Sequence, residues 1–273
     1  MDELPDPETY YDATGEVEWE RLDRDPVTRF EFENTTAYLE RLPADGRVLD
    51  AGGGAGRYSA WLAERGHDVT LLDRSAGQLA TAAEKLAERG LDDRVAVERG
   101  DIRALPFEDD AFDGVTCLGA PLSHVLDADE RHAALRELRR VARDGAPVFV
   151  SVVGRLAVLR DIIHNVLAAE HGLLAPIAET GDYTAALAAE HVDDPAWTEA
   201  HFFRADELEA ALADAGFTVE TLVGLEGVAS NYGEELAAAP EAAQADVRRV
   251  VESLREDRAV VDLSNHILAV ARA

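Results

Sequence analysis

Cys117 is the only cysteine among 273 residues, which excludes an internal disulfide and any metal site built on cysteines. Lys85 is the only lysine; arginine fills every other Lys or Arg position. Long apolar runs are also missing. The longest, Val148 to Gly154, is broken by Ser151 and ended by Arg155. No stretch approaches the roughly 20 apolar residues a membrane-spanning helix needs. The opening Met1-Asp2-Glu3 carries neither the basic region nor the apolar stretch of a signal peptide. The expectation from these absences is a reduced, cytoplasmic protein with no membrane contact.

Positive charge is scarce as well. Asp and Glu number 55 against 26 Lys and Arg, a net charge of -29. Such a surface repels itself at low ionic strength. In molar salt the Debye length falls to about 3 Å and the repulsion is screened. The composition therefore points to a salt-loving host of the halophilic archaeal kind. It also speaks against a bulk electrostatic grip on nucleic acid, without excluding one, because salt screens phosphate attraction too. With 47% hydrophobic residues recurring along the chain, one large domain with a sizeable core is expected.

Short apolar runs alternate with helical patterns. Strands are read at Arg47–Ala51, Asp68–Asp73, Arg94–Glu98, Phe112–Leu118, Val148–Val153, Phe217–Leu225 and His266–Ala271. Between them, Tyr58, Trp61 and Leu62 and then Leu79, Ala82, Ala83 and Leu86 recur at helical spacing. Strand and helix in this rhythm imply right-handed crossovers, hence a Rossmann-like, doubly wound α/β fold with a mostly parallel seven-stranded sheet. Residues 154–200 break the rhythm and read as a helical insertion over the sheet edge. Residues 1–45 read as a helical segment in front of the domain that fills 46–273.

The central motif is Asp50-Ala51-Gly52-Gly53-Gly54-Ala55-Gly56, where an apolar strand meets glycines and then a helix. Side chains at Gly52 or Gly54 would keep a ligand off the backbone. A dinucleotide needs G-x-G-x-x-G, and the third glycine would fall on Arg57. An acid at the strand end also repels pyrophosphate, whereas it suits an ammonium group. S-adenosylmethionine carries an ammonium and a sulfonium and no phosphate. Asp73 ends the second strand, 19 residues after Gly54, where a carboxylate accepts both ribose hydroxyls, with Arg74 beside it. Asp101 follows the third strand and can accept the adenine amino group, with Ile102 against the ring.

These motifs resemble those of the class I S-adenosylmethionine-dependent methyltransferases. Val48 to Gly56, Leu71 to Asp73, Gly100 to Phe107 and Phe112-Asp113-Gly114-Val115 match in order and spacing, and Arg143-Asp144-Gly145-Ala146 resembles the usual R-P-G-G turn with two departures. The resemblance implies an antiparallel last strand, which His266–Ala271 fits. It also puts the segment after the fourth strand, Leu118 to His124, beside the transferred methyl. That segment lacks the N/D-P-P-Y/F of the DNA and protein amide methyltransferases. The N-terminal segment is similar to the front of small-molecule, quinone-biosynthesis and tRNA carboxymethoxyuridine methyltransferases.

The expectation is methyl transfer to a small molecule, with a tRNA methyltransferase, an NAD-dependent Rossmann enzyme and a non-catalytic binding protein as alternatives. His124 and His201 are the general-base candidates; His124 is equally readable as a structural histidine, and His201 more readily so. Arg21 or Arg29 is the candidate partner for the cofactor carboxylate. No metal site is expected, and oligomeric state is not legible. One prediction follows from composition: in urea titrations the unfolding midpoint rises steeply from low to molar KCl, and an unchanged midpoint defeats the salt-adapted reading.

Overall fold

The computed structural model describes residues 4–166, 170–192 and 197–273. Met1 to Glu3 and residues 167–169 and 193–196 of the predicted insertion lie outside the described residues.

Seven strands form the main sheet: β1 (Arg47–Ala51), β2 (Asp68–Asp73), β3 (Val95–Arg99), β4 (Gly114–Cys117), β5 (Pro147–Val153), β8 (Thr218–Gly224) and β9 (His266–Arg272). The order is β3-β2-β1-β4-β5-β9-β8. Only β9 runs against the rest, paired antiparallel to β5 and β8. The mostly parallel sheet and its reversed last strand agree with expectation.

Three predicted strands are trimmed, β8 by one residue at each end. Arg94 donates its N–H back to the Leu91 carbonyl, so it closes a turn and β3 starts at Val95. Phe112 bridges to Ala142 instead of pairing within β4. Residues 154–200 are not purely helical. They hold the two-residue strand β6 (Asp182–Tyr183), which pairs antiparallel with β7 (Ala200–His201).

Helices cover both faces. In front of the sheet come α1 (Pro7–Asp12), α2 (Gly15–Arg21) and α3 (Pro26–Leu39). Asp25 caps α3 by accepting the Val27 and Thr28 N–H groups, and Pro26 occupies the first turn, where its missing donor costs nothing. The crossover helices are α4 (Arg57–Ala63), α5 (Ala76–Glu88) and α6 (Ala128–Val141). Alternation along β1 feeds two cores. Leu49 and Ala51 join Leu135 and Leu138 of α6 on one face; Val48 joins Leu62 of α4 and Leu86 of α5 on the other. A third, smaller core gathers Ile177, Tyr183 and Phe202 around the inserted segment.

This layering brings the carboxyl ends of β1, β2, β4 and β5 to one rim, together with the start of β9. Leu49, central in β1, is fully buried. Leu49→Ala is expected to cost about 2–5 kcal/mol by denaturant unfolding in molar KCl, from lost transfer energy plus cavity. Val250→Ala, at a largely exposed position, is expected to stay within about 0.5 kcal/mol.

Candidate functional site

The glycine loop bends tightly between β1 and α4. Gly52, Gly54 and Gly56 have φ of 72°, 53° and 82°, which an L side chain resists. The Leu72 carbonyl of β2 accepts the Gly52 N–H at 2.7 Å and the Gly53 N–H at 3.2 Å, which pins the loop to the neighbouring strand. There is also no room for side chains. A Cβ on Gly52 would lie 2.5 Å from Pro121 Cγ, and one on Gly53 would lie 2.7 Å from Asp50 Oδ2.

Asp50 differs from expectation. Its carboxylate is fully buried and does not line the pocket. It accepts from Ser59 Oγ at 2.7 Å and Thr116 Oγ1 at 2.9 Å. Burial pushes its pKa up, and the two hydroxyls offset only part of that rise. Its place behind the loop follows from β-strand alternation, which turns it away from the ligand side. It braces the bend from behind.

The pocket over this loop is lined by Gly52, Gly54, Asp73, Arg74, Asp101, Ile102, Leu118, Arg21 and His124, all expected, and by Tyr11, Glu18, Arg57 and Gln78, which were not. Asp73 accepts the N–H groups of Gly54 and Ser75, each at 2.9 Å. Burial raises its pKa while these bonds lower it. Asp101 accepts from Arg103 at 2.6 Å and lies 3.6 Å from Arg74.

The pocket's three arginines are all engaged. Arg21 makes a two-pronged pair with Glu31 at 2.6 and 2.8 Å, Arg57 pairs with Asp23, and Arg74 reaches Glu8 at 3.1 Å. Arg57 Nε is nevertheless buried with no acceptor. Gln78 Oε1 is buried in the wall with no donor to accept from. An acceptor left open among acids fits a ligand rich in donors and positive charge.

His124 sits in the single turn Pro121–His124 after β4. The Glu199 carbonyl lies 2.9 Å from Nδ1, so Nδ1 carries the proton. Nε2 then accepts the Tyr11 hydroxyl at 2.9 Å. Burial holds the His124 pKa below the ordinary value, against the pull of the Glu199 carbonyl, and burial raises that of Tyr11. Cys117 is fully buried in the core, where burial pushes its thiol up to about 12.

Two further expectations are corrected. His201 does not face the pocket. Its Nδ1 lies 2.6 Å from Asp182 and its Nε2 2.6 Å from Glu207, so it joins the β6–β7 ribbon to the helix Ala205–Asp214. Arg29 projects outward from α3, about half exposed, to Asp23 at 2.5 Å and Glu33 at 3.6 Å. The capped start of α3 sets that face outward.

Behind Arg21 a buried ionic chain continues. His266 Nδ1 is 2.6 Å from Glu226 Oε1 and 3.4 Å from Glu31 Oε2. These three residues could in principle surround a metal. However, the Arg21 guanidinium already occupies both oxygens of Glu31. Strand pattern alone gave no reason to single out His266, since it reads simply as the first residue of β9.

Comparison with known proteins agrees with this geometry. Residues 48–145 match the family model of the methyltransferase domain. The methyltransferase GfsG of Streptomyces halstedii is 32% identical over 179 residues, covering 64% of this chain and 59% of GfsG. The ubiquinone/menaquinone biosynthesis C-methyltransferase UbiE of Pectobacterium carotovorum is 36% identical over 108 residues, covering 38% of this chain and 41% of UbiE. The chain thus spans between two fifths and three fifths of these relatives. The CcbJ methyltransferase of Streptomyces caelestis shares the fold with a TM-score of 0.63 at 18% identity, covering 97% of this chain and 98% of that one. The glycine loop and the acids at the strand ends thus lie within the segment that matches a methyltransferase domain.

Proposed function

We propose that the chain transfers a methyl group from S-adenosylmethionine to a small, largely apolar acceptor. The observation that carries this reading is the acid-lined cradle of Gly52, Gly54, Asp73 and Asp101, whose arginines each pair with a carboxylate and whose Gln78 Oε1 lacks a donor. It favours a cationic nucleoside and disfavours a pyrophosphate.

When bound, S-adenosylmethionine supplies a methyl carbon already activated by the sulfonium. The Gly52 and Gly54 backbone gives the nucleoside its close approach. Asp73 takes the ribose hydroxyls, and Asp101, flanked by Arg74, takes the adenine amino group with Ile102 on the ring. Arg21 turns the N–H groups not given to Glu31 to the amino-acid carboxylate, while Glu18 and Gln78 face the ammonium. Leu118 borders the transferred methyl and helps to exclude water.

His124 is neutral, with both ring nitrogens engaged, so it reaches an acceptor proton only through the Tyr11 hydroxyl. Its first task is to hold Tyr11 on the pocket wall.

The arginines near α6 support a small acceptor over tRNA. Arg139 pairs with Asp144 at 2.7 Å and Arg140 with Glu137 at 2.7 Å. Arg143 pairs with Asp113, and Arg131 donates to the Val125 and Leu126 carbonyls. These four are paired within the chain, and Arg136 alone of the α6 arginines is exposed with no carboxylate partner among the described residues. The quinone-biosynthesis relative and the surplus of acids fit, respectively, a nonpolar acceptor and a salty archaeal cytoplasm.

Calorimetry in molar KCl with S-adenosylhomocysteine tests the cofactor reading. Binding is expected, and NAD bound in its place would refute it. Asp73→Ala is expected to weaken binding at least roughly tenfold, since one hydrogen bond to a charged acceptor is worth about 1.5–3 kcal/mol. Unaltered affinity in a folded variant removes Asp73 from the site.

A further inference from the structure

A second cavity of about 580 Å³ lies beside the cofactor pocket, above the ends of β5 and β9. The two linings share no residue but meet at two places. On one side the His124 ring of the cofactor pocket meets the Trp197 ring of the chamber edge-on, with centroids 5.4 Å apart. On the other, Arg21 of the cofactor pocket connects through Glu31 to His266 of the chamber. Val153 and His266 are register partners across β5 and β9, so the chamber floor belongs to the same sheet rim.

The lining is aromatic, with Tyr183, Trp197 and Phe202 on its sides, Trp197 stacked on Phe202 at 5.8 Å. Among the described residues its charged groups are Asp161, Glu170 and His266, with no lysine or arginine in the lining. These two acids disfavour a ligand that carries a carboxylate or phosphate.

His266 is the one side chain in this chamber arranged as a base. Glu226 Oε1 holds Nδ1 at 2.6 Å, and the other Glu226 oxygen accepts the His266 backbone N–H at 2.8 Å. Ser264 Oγ donates to that same oxygen at 2.8 Å. Glu226 is therefore fixed on three sides, and it orients the imidazole. No described residue bonds Nε2. This differs from His124, whose two nitrogens are both engaged.

We propose that this chamber is the acceptor site of the methyl transfer, that the acceptor is an apolar aromatic molecule bearing a hydroxyl, and that His266 is the catalytic residue that takes the hydroxyl proton. This rests on the methyltransferase reading above. The O–H proton passes to His266 Nε2. The oxygen lone pair forms the new bond to the methyl carbon as the carbon–sulfur bond breaks with its electron pair going to sulfur. The imidazolium then releases its proton to solvent. Glu226 is a positioning residue that stabilises the imidazolium, and Glu31 assists from 3.4 Å.

The groups facing His266 set its titration. Burial opposes its charge. The Glu31 carboxylate from α3 and the Glu226 carboxylate after β8 outweigh burial, Arg21 from α2 works against them, and the pKa is held above the ordinary value. Glu18 of α2 is also within electrostatic reach, and Asp161 and Glu170 face the imidazole across the chamber. A base with a raised pKa is protonated at low pH, so proton abstraction is lost as pH falls through a value above 6.5. A pathway through His124, whose pKa lies below the ordinary value, would lose activity only below that point.

The test uses 4-nitrophenol, whose ionised form absorbs visible light, added to the full chain saturated with S-adenosylhomocysteine in molar KCl. The bound phenol is expected to ionise at least about threefold more readily than the free one, because the imidazolium stabilises the phenolate. His266→Asn is expected to abolish that shift and Glu226→Gln to reduce it, with S-adenosylhomocysteine affinity unchanged within about twofold. The His266 imidazole followed by NMR should titrate at lower pH in Glu226→Gln, which serves as the reading if His266→Asn does not fold. Failure of S-adenosylhomocysteine to bind the unaltered chain would overturn the methyltransferase reading itself. With that ligand bound, the acceptor proposal is overturned if 4-nitrophenol is refused, if its ionisation is indifferent to His266, or if phenethylamine is held in its place.

Discussion

The rim of the sheet depends on a carboxylate kept out of water. Asp50 ties the end of β1 to Ser59 in α4 and to Thr116 in β4. Burying such a group costs several kcal/mol unless donors meet it, and a buried charge with one donor removed is strongly destabilising. The two hydroxyls therefore act as obligatory partners. They fix where the glycine loop leaves the strand, and through the Leu72 carbonyl they fix its distance from Asp73. The cradle is rigid because its brace lies behind it.

Much of this was readable from residue order. Apolar runs broken by glycine and acid placed all seven strands of the sheet, and three acids following three strands marked the ligand end. Side-chain direction was less accessible. Spacing puts Asp50 at the end of β1, but strand alternation and the nearness of Ser59 and Thr116 turn it inward. His201 and Arg29 were misjudged for a related reason. Each carries the right chemistry close to the site in sequence, yet a nearer carboxylate captures it.

The residues that sequence reading passed over are joined only by the fold. Tyr11 meets His124 across 113 positions, and His266 meets Glu226 across 40 and Glu31 from the far end of the chain. No local period encodes such meetings. Glu18 stood one residue from Trp19 in plain view, but an acid in a chain with 55 of them carries little signal. The same surplus explains why the arginines are so heavily paired: each is outnumbered by carboxylates within reach.

The front layer fits closely because two side chains are missing. Asp12 accepts from Ser75 Oγ at 2.5 Å and from the Gly77 N–H at 3.0 Å, which lays α1 flat on the start of α5. A Cβ on Gly77 would come within 2.2 Å of the Asp12 carbonyl oxygen, and one on Gly15 within 2.2 Å of Thr81 Oγ1. Even one methyl group at either point would wedge this layer upward while leaving the sheet untouched. The damage would show as water entering above the nucleoside, and as faster escape of whatever is held beneath.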